Sequence, residues 1–306
     1  MFSFSIKKTF SQQFDKLVLY SLNRRMPDSF DDSYMATAAL EEVLDQTRVN
    51  RQKTALYNLV APGEHAVWLD TLFGEIRCLV KVRPAVQPGA PLLLYHHGFA
   101  EIPYTSTWER LIPKSEPFPA HTVAVQAPYH KSLTEPVSTG FSSVQHIYQM
   151  FAGSLRTMEL LQEQFAQEGA AFTAVSGLSW GGITSLLYEG FFQRTRAVIP
   201  LFASPNLAQV LSDAARLFNR PLPISRDQLD DLLDFTPYYE RCDKERVFPV
   251  LGEDDLFFRF EQHAVVYPQE TLVALPSTHV GAMWRTKQRL RRHVTEILAW
   301  AALHAR

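Results

Sequence analysis

Six short apolar runs recur along the chain: PLLLYHHGF (91–99), HTVAVQAP (121–128), AFTAVSG (171–177), RAVIPLF (196–202), RVFPVLG (246–252) and ETLVALP (270–276). Each is too short for a helix, and each carries apolar residues at consecutive rather than alternate positions, the pattern of a strand covered on both faces. Between the second and third runs, Val144, Ile147, Tyr148, Phe151, Leu155, Met158, Leu161 and Phe165 step by three and four, which predicts a long amphipathic helix. Leu290, Val294, Ile297, Leu298 and Ala301 mark a closing helix. Strand, helix, strand in succession demands crossovers, so the expected class is α/β, a mostly parallel sheet with helices on both faces.

Three segments depart from that rhythm. HAVWLDTLFGEIRCLVKVRP (65–84) reads as two β-rich stretches hinged near Gly74, with Ile76, Cys78 and Val80 on one face, and predicts an antiparallel hairpin at a sheet edge. Residues 1–62 place Leu40, Val43, Leu44 and then Ala55, Leu56, Leu59 at helical steps, and are expected to form a helical N-terminal extension packed on a main domain of residues 63–306. Residues 203–245 are longer than an ordinary crossover. They hold helical patterns at Leu207–Phe218 and Arg226–Leu233, parted by Asn219–Pro223, and are expected to form a small helical cap over the strand ends.

Composition narrows the function. Thirty Lys and Arg stand against 32 Asp and Glu, so no cationic excess exists to collect nucleic-acid phosphates. Two cysteines, Cys78 and Cys242, are too few for a disulfide framework or a cysteine zinc site, which favours the reducing cytoplasm. The opening MFSFSIKKTFSQQF scatters apolar residues among lysine and glutamine, unlike an export signal. The uncharged stretch 169–188 has four glycines, three serines and two threonines, and makes a poor membrane helix.

That same stretch carries the chemistry. Gly177-Leu178-Ser179-Trp180-Gly181 is a G-x-S-x-G sequence between a buried-strand run and a helical one. A tight strand-to-helix turn strains the serine backbone and crowds the positions two residues either way, hence the glycines. A serine hydroxyl needs a base to take its proton, and the base needs an orienting carboxylate. Both stand downstream at strand ends, in Gly252-Glu253-Asp254-Asp255 and in Ser277-Thr278-His279. Parallel strands bring these ends to the edge where Ser179 sits. Upstream, His96-His97-Gly98-Phe99 ends another strand, where the N–H of Phe99, with that of Trp180, can face an oxyanion.

Over about residues 65–304 the chain resembles the α/β-hydrolases. The order nucleophile, acid, histidine is met by Ser179, Asp255 and His279, and the HG turn of that family's oxyanion loop by His97 and Gly98. The G-x-x-D spacing favours Asp255, with Asp254 as the alternative acid. The resemblance implies hydrolysis of an ester, thioester or amide through an acyl-enzyme, without metal or organic cofactor, on a small-molecule acyl substrate. Acyl transfer would use the same residues, and a silent ligand-binding module would keep the fold alone. The side chains of Phe99 and Trp180 are free to shape an apolar acyl pocket, and Tyr104, Tyr129 and His130 are further candidates for its wall.

Overall fold

The computed structural model describes residues 2–25, 30, 38–130 and 137–304. Nine strands form one sheet: β1 (Arg48–Val49), β2 (Gly63–Thr71), β3 (Gly74–Arg83), β4 (Leu92–His96), β5 (His121–Val125), β6 (Thr173–Leu178), β7 (Ala197–Leu201), β8 (Val250–Gly252) and β9 (Val273–Leu275). They lie in the order β1-β2-β3-β5-β4-β6-β7-β8-β9. From β5 to β9 every pairing is parallel, while β1, β2 and β3 join antiparallel.

All six apolar runs contribute a strand, and β4 and β7 are buried along their whole length. Alternate residues of β4 serve opposite sides of the sheet: Leu92 and Leu94 join one apolar cluster, Leu93 and Tyr95 the other. The run at 246–252 gives only three strand residues, because Pro249 has no N–H to donate to a ladder; ahead of it Val247 makes an isolated bridge to Val198. In the β2–β3 hairpin Ile76, Cys78 and Val80 are buried at alternate positions, as their spacing predicts. This hairpin is not the outermost pair: β1, too short and polar to read in the sequence, lies outside β2.

The helices are α1 (Phe2–Arg25), α2 (Leu40–Gln46), α3 (Ser106–Leu111), α4 (Val144–Gln167), α5 (Trp180–Phe192), α6 (Leu207–Leu217), α7 (Arg226–Leu233), α8 (Thr236–Tyr239), α9 (Phe260–His263), α10 (Ala282–Arg285) and α11 (Lys287–Leu303). In α4 all eight residues of the predicted apolar stripe are buried, and the Ser143 hydroxyl caps the helix by accepting the His146 N–H at 3.1 Å. The helix expected around residues 55–59 is instead a single 3₁₀ turn, Leu56–Asn58, whose apolar neighbour Leu59 is buried. Three apolar positions across five residues are enough to anchor a turn but too few for a helix to nucleate. Helix α1 docks on the main body, with Asp15, Leu19, Leu22 and Asn23 buried and the Tyr20 ring edge-on to Phe218, just past the end of α6, at 5.4 Å. Among the described residues no helix is long and apolar enough to cross a membrane.

The parallel registers align His96 with Gly177, Gly177 with Pro200, and Gly252 with Leu275. The loops that leave β4, β6, β8 and β9 therefore emerge along one rim of the sheet.

Candidate functional site

Ser179 sits between the end of β6 and the start of α5 with φ 57° and ψ −116°, a conformation that costs a non-glycine residue on the order of 1–3 kcal/mol. The surroundings impose it. The Ser179 N–H donates to Leu201 O at 2.8 Å, and the Gly182 and Ile183 N–H groups donate to Ser179 O. A Cβ on Gly177 would fall 2.3 Å from the carbonyl carbon of Gly181, and one on Gly181 would fall 2.1 Å from His96 O. Both glycines are thus explained by close backbone approach, the second because α5 starts against the loop after β4. The Trp180 N–H, in the first turn of α5, is one of the helix donors that no carbonyl of its own helix can satisfy.

Asp255 and His279 meet in the loops after β8 and β9. The His279 Nδ1–H donates to Asp255 Oδ2 at 2.8 Å, while Asp255 Oδ1 accepts the N–H groups of Phe257 at 2.7 Å and Phe258 at 3.1 Å. Of the two neighbouring acids, Asp255 is the one that meets the ring and is buried against it, whereas Asp254 is half-buried. Phe257 stacks on the His279 ring at 4.2 Å, with Phe258 tilted at 5.7 Å and Phe202 edge-on at 6.4 Å. Burial pulls the His279 pKa down, but the Asp255 charge, its hydrogen bond and the Asp15 charge push harder the other way, and the net shift is upward. With Nδ1 committed to Asp255, Nε2 is the nitrogen left to take a proton. Among the described residues no hydrogen bond joins the Ser179 hydroxyl to this ring. The two share neighbours, since Phe257 and Phe258 pack on the imidazole and also wall the pocket that Ser179 lines.

The loop after β4 is held by histidines. The Ala127 N–H donates to His97 Nε2 at 2.9 Å, so the ring proton lies on Nδ1, which donates to Gly98 O at 2.6 Å. His96 donates through Nδ1 to His97 O at 3.0 Å and accepts the Ser154 hydroxyl on Nε2 at 2.9 Å. Burial holds both rings neutral, the His96 pKa falling to about 3 and that of His97 well below its ordinary value. Glu101, which no motif points to, fixes the other side: its carboxylate accepts the N–H of Gly98 at 3.1 Å and both the N–H and hydroxyl of Thr107, at 2.6 and 2.8 Å. Burial pushes its pKa up to about 7.

Leu22, Phe99, Phe141, Ser179, Trp180, Ile183, Leu207, Val210, Phe257 and Phe258 enclose a narrow pocket with free space of about 30 Å³. Apart from Ser179 its wall is apolar. Phe99 and Trp180 stand in it as their positions suggest. Tyr104, Tyr129 and His130 stand outside: the Tyr104 hydroxyl donates to Glu64 at 2.9 Å, that of Tyr129 to Gln149 at 2.9 Å, and His130 Nδ1 lies 3.0 Å from Pro128 O while its ring meets His97 and Phe99 edge-on. These three lie near strand ends along the chain, but the wall is built by distant segments, including Leu22 of α1 and Leu207 and Val210 of α6. A wider cleft of about 400 Å³ opens between Arg83 and Thr122, far from the rim, and no serine, cysteine or histidine lines it. Among the described residues no cluster of histidine, cysteine or carboxylate side chains is arranged to hold a metal ion.

Sequence comparison finds no protein-family model and no curated protein that matches the chain. Structure comparison does find matches. A protein from Acinetobacter baumannii AYE with a provisional lipase name superposes over 87% of this chain and 97% of its own, with a TM-score of 0.52 at 15% identity. A lipase in its open form matches over 78% of this chain and 99% of its own, with a TM-score of 0.51 at 13% identity. A structure from work on two metagenome-derived lipolytic enzymes matches over 73% and 97%, with a TM-score of 0.50 at 16% identity. Sheet order, crossovers and these superpositions agree that the chain has the α/β-hydrolase fold.

Proposed function

We propose that the chain is a serine hydrolase that cleaves a carboxylic ester, or the corresponding thioester or amide, with a small or medium apolar acyl group. The observation that carries this reading is the buried Asp255–His279 pair, 2.8 Å apart, on the rim where Ser179 is held in its strained elbow. In the reaction Ser179 Oγ attacks the acyl carbon as its proton passes to His279 Nε2, and Asp255 keeps the other ring proton on Nδ1. The N–H groups of Phe99 and Trp180 donate to the oxyanion, one such donor being worth about 3 kcal/mol of barrier. Collapse breaks the bond to the leaving group, which takes the proton from His279. Water then gives a proton to His279, its oxygen attacks the acyl-enzyme, and Ser179 recovers its hydroxyl as the acid departs. The apolar wall supports an uncharged acyl group.

The test is Ser179→Ala on nitrophenyl acetate and butyrate. Loss of turnover with retained folding is expected, and full activity in the variant overturns the assignment. One observation favours a silent scaffold instead, namely the absence of a hydrogen bond from Ser179 to His279 among the described residues. A fluorophosphonate probe separates the two, since only an activated serine is labelled.

A further inference from the structure

The N-terminal helix α1 places a carboxylate inside the site. Asp15 is fully buried, and its two oxygens accept three backbone N–H groups: Oδ1 that of Val280 at 2.9 Å, Oδ2 those of His279 at 3.0 Å and Leu256 at 3.4 Å. One of these donors belongs to His279 itself, the second to its successor, and the third to the residue after Asp255. A single side chain thus ties together the two loops that supply the candidate acid and base. The same helix touches the histidine loop again, since a Cβ on Gly281 would come within 3.2 Å of Ser11 Oγ. We propose that Asp15 is a positioning residue for the proposed reaction, fixing the backbones of the Asp255 and His279 loops and adding a second negative charge beside the imidazole. This inference rests on the assignment of Ser179, Asp255 and His279 above.

A merely structural clamp would not need to be ionisable. A neutral acceptor can take backbone hydrogen bonds, whereas burying a carboxylate is costly. Burial, followed by the nearby Asp255 charge, raises the Asp15 pKa to about 6 against the pull of His279 and of the Val280 and His279 N–H groups. The charge becomes useful when His279 takes the serine proton, because the imidazolium is then stabilised by the nearby charges of both Asp255 and Asp15. The titratable groups whose charges act on this cluster are His279 and Asp255, with His263 of α9 near Asp255.

The experiment compares full-length wild type, Asp15→Asn, Asp15→Glu and Ser179→Ala, reading kcat and KM for nitrophenyl acetate from pH 5 to 9, with circular dichroism as the folding control. Asp15→Asn removes the charge and, with its oxygen kept by the His279 and Leu256 N–H groups, turns an amide N–H toward the N–H of Val280. It is expected to lower kcat by about tenfold or more with little change in KM, and to move the acid limb of kcat/KM down by roughly one pH unit. Asp15→Glu keeps the charge but shifts the carboxylate by one methylene, so the acid limb stays while kcat falls. An unchanged kcat and pH profile in a folded Asp15→Asn overturns the proposal. If Asp15→Asn does not fold, wild-type kcat in Asp15→Glu overturns it. Activity in Ser179→Ala would instead refute the serine assignment, whatever the Asp15 variants do.

Discussion

The sharpest prediction concerns Asp255→Asn. In the structure Oδ1 of this side chain holds two backbone N–H groups, those of Phe257 and Phe258, and Oδ2 holds the His279 Nδ1 proton. Asparagine has one oxygen, and two donors claim it at the Oδ1 position. The amide nitrogen is then forced to face the ring. Facing an N–H donor, His279 must present Nδ1 as a lone pair and carry its proton on Nε2, the nitrogen that has to accept from Ser179. The fold survives, because the loop bonds persist, but the base is blocked. The loss expected from such a wrong tautomer is roughly 10⁴-fold in kcat, about 5 kcal/mol of barrier. Stopped-flow or plate assays on nitrophenyl acetate at pH 8 measure it, with the melting temperature as control and Asp254→Asn as the neighbouring comparison. If Asp255→Asn keeps more than about a tenth of wild-type kcat, or if Asp254→Asn suffers the larger loss, the tautomer argument fails.

Two further variants test the walls of the site. Leu22→Ala opens the pocket from the α1 side, so the ratio of kcat/KM for octanoate over acetate esters should rise at least severalfold, with a stability loss of about 2–4 kcal/mol; an unchanged ratio removes Leu22 from the acyl pocket. For Glu101 the folded pKa, about 7, lies above its ordinary 4.5, so its contribution to stability is complete below pH 4.5 and is lost as pH rises through 7. Glu101→Gln escapes that penalty. Urea unfolding should therefore show its stability improving relative to wild type between pH 5 and pH 8, and a difference independent of pH refutes the burial argument.

How much of this was legible in the sequence depends on the range of each contact. The strands from β4 to β9, α4 and the hairpin follow from local apolar spacing, and Ser179 with its flanking glycines from a motif whose steric causes lie within five residues and one neighbouring strand. The choice between Asp254 and Asp255 turns on which carboxylate the loop after β8 directs at the ring, and spacing alone only favours one. Asp15 carries no local signature, because the amides it holds stand 241 to 265 residues away in loops set by the sheet, and Glu101 falls in no motif, its role depending on how the chain turns back on Gly98 and Thr107 after β4. The pocket wall depends on distant contacts in the same way. Tyr104, Tyr129 and His130 follow strand ends along the chain, but they turn to Glu64, Gln149 and Pro128, and apolar residues from α1, α6 and the loop after β8 fill the space.

The docking of α1 also joins the first part of the chain to be made with nearly the last. Asp15 leaves the ribosome some 241–265 residues ahead of the amides it will hold. While the central strands assemble, this buried carboxylate has no counterpart and must wait in water. A nascent or proteolytically shortened chain without α1 would carry the serine elbow yet leave the Asp255 and His279 loops without this clasp, so on the proposed reading full activity would wait until first and last segments have closed on each other.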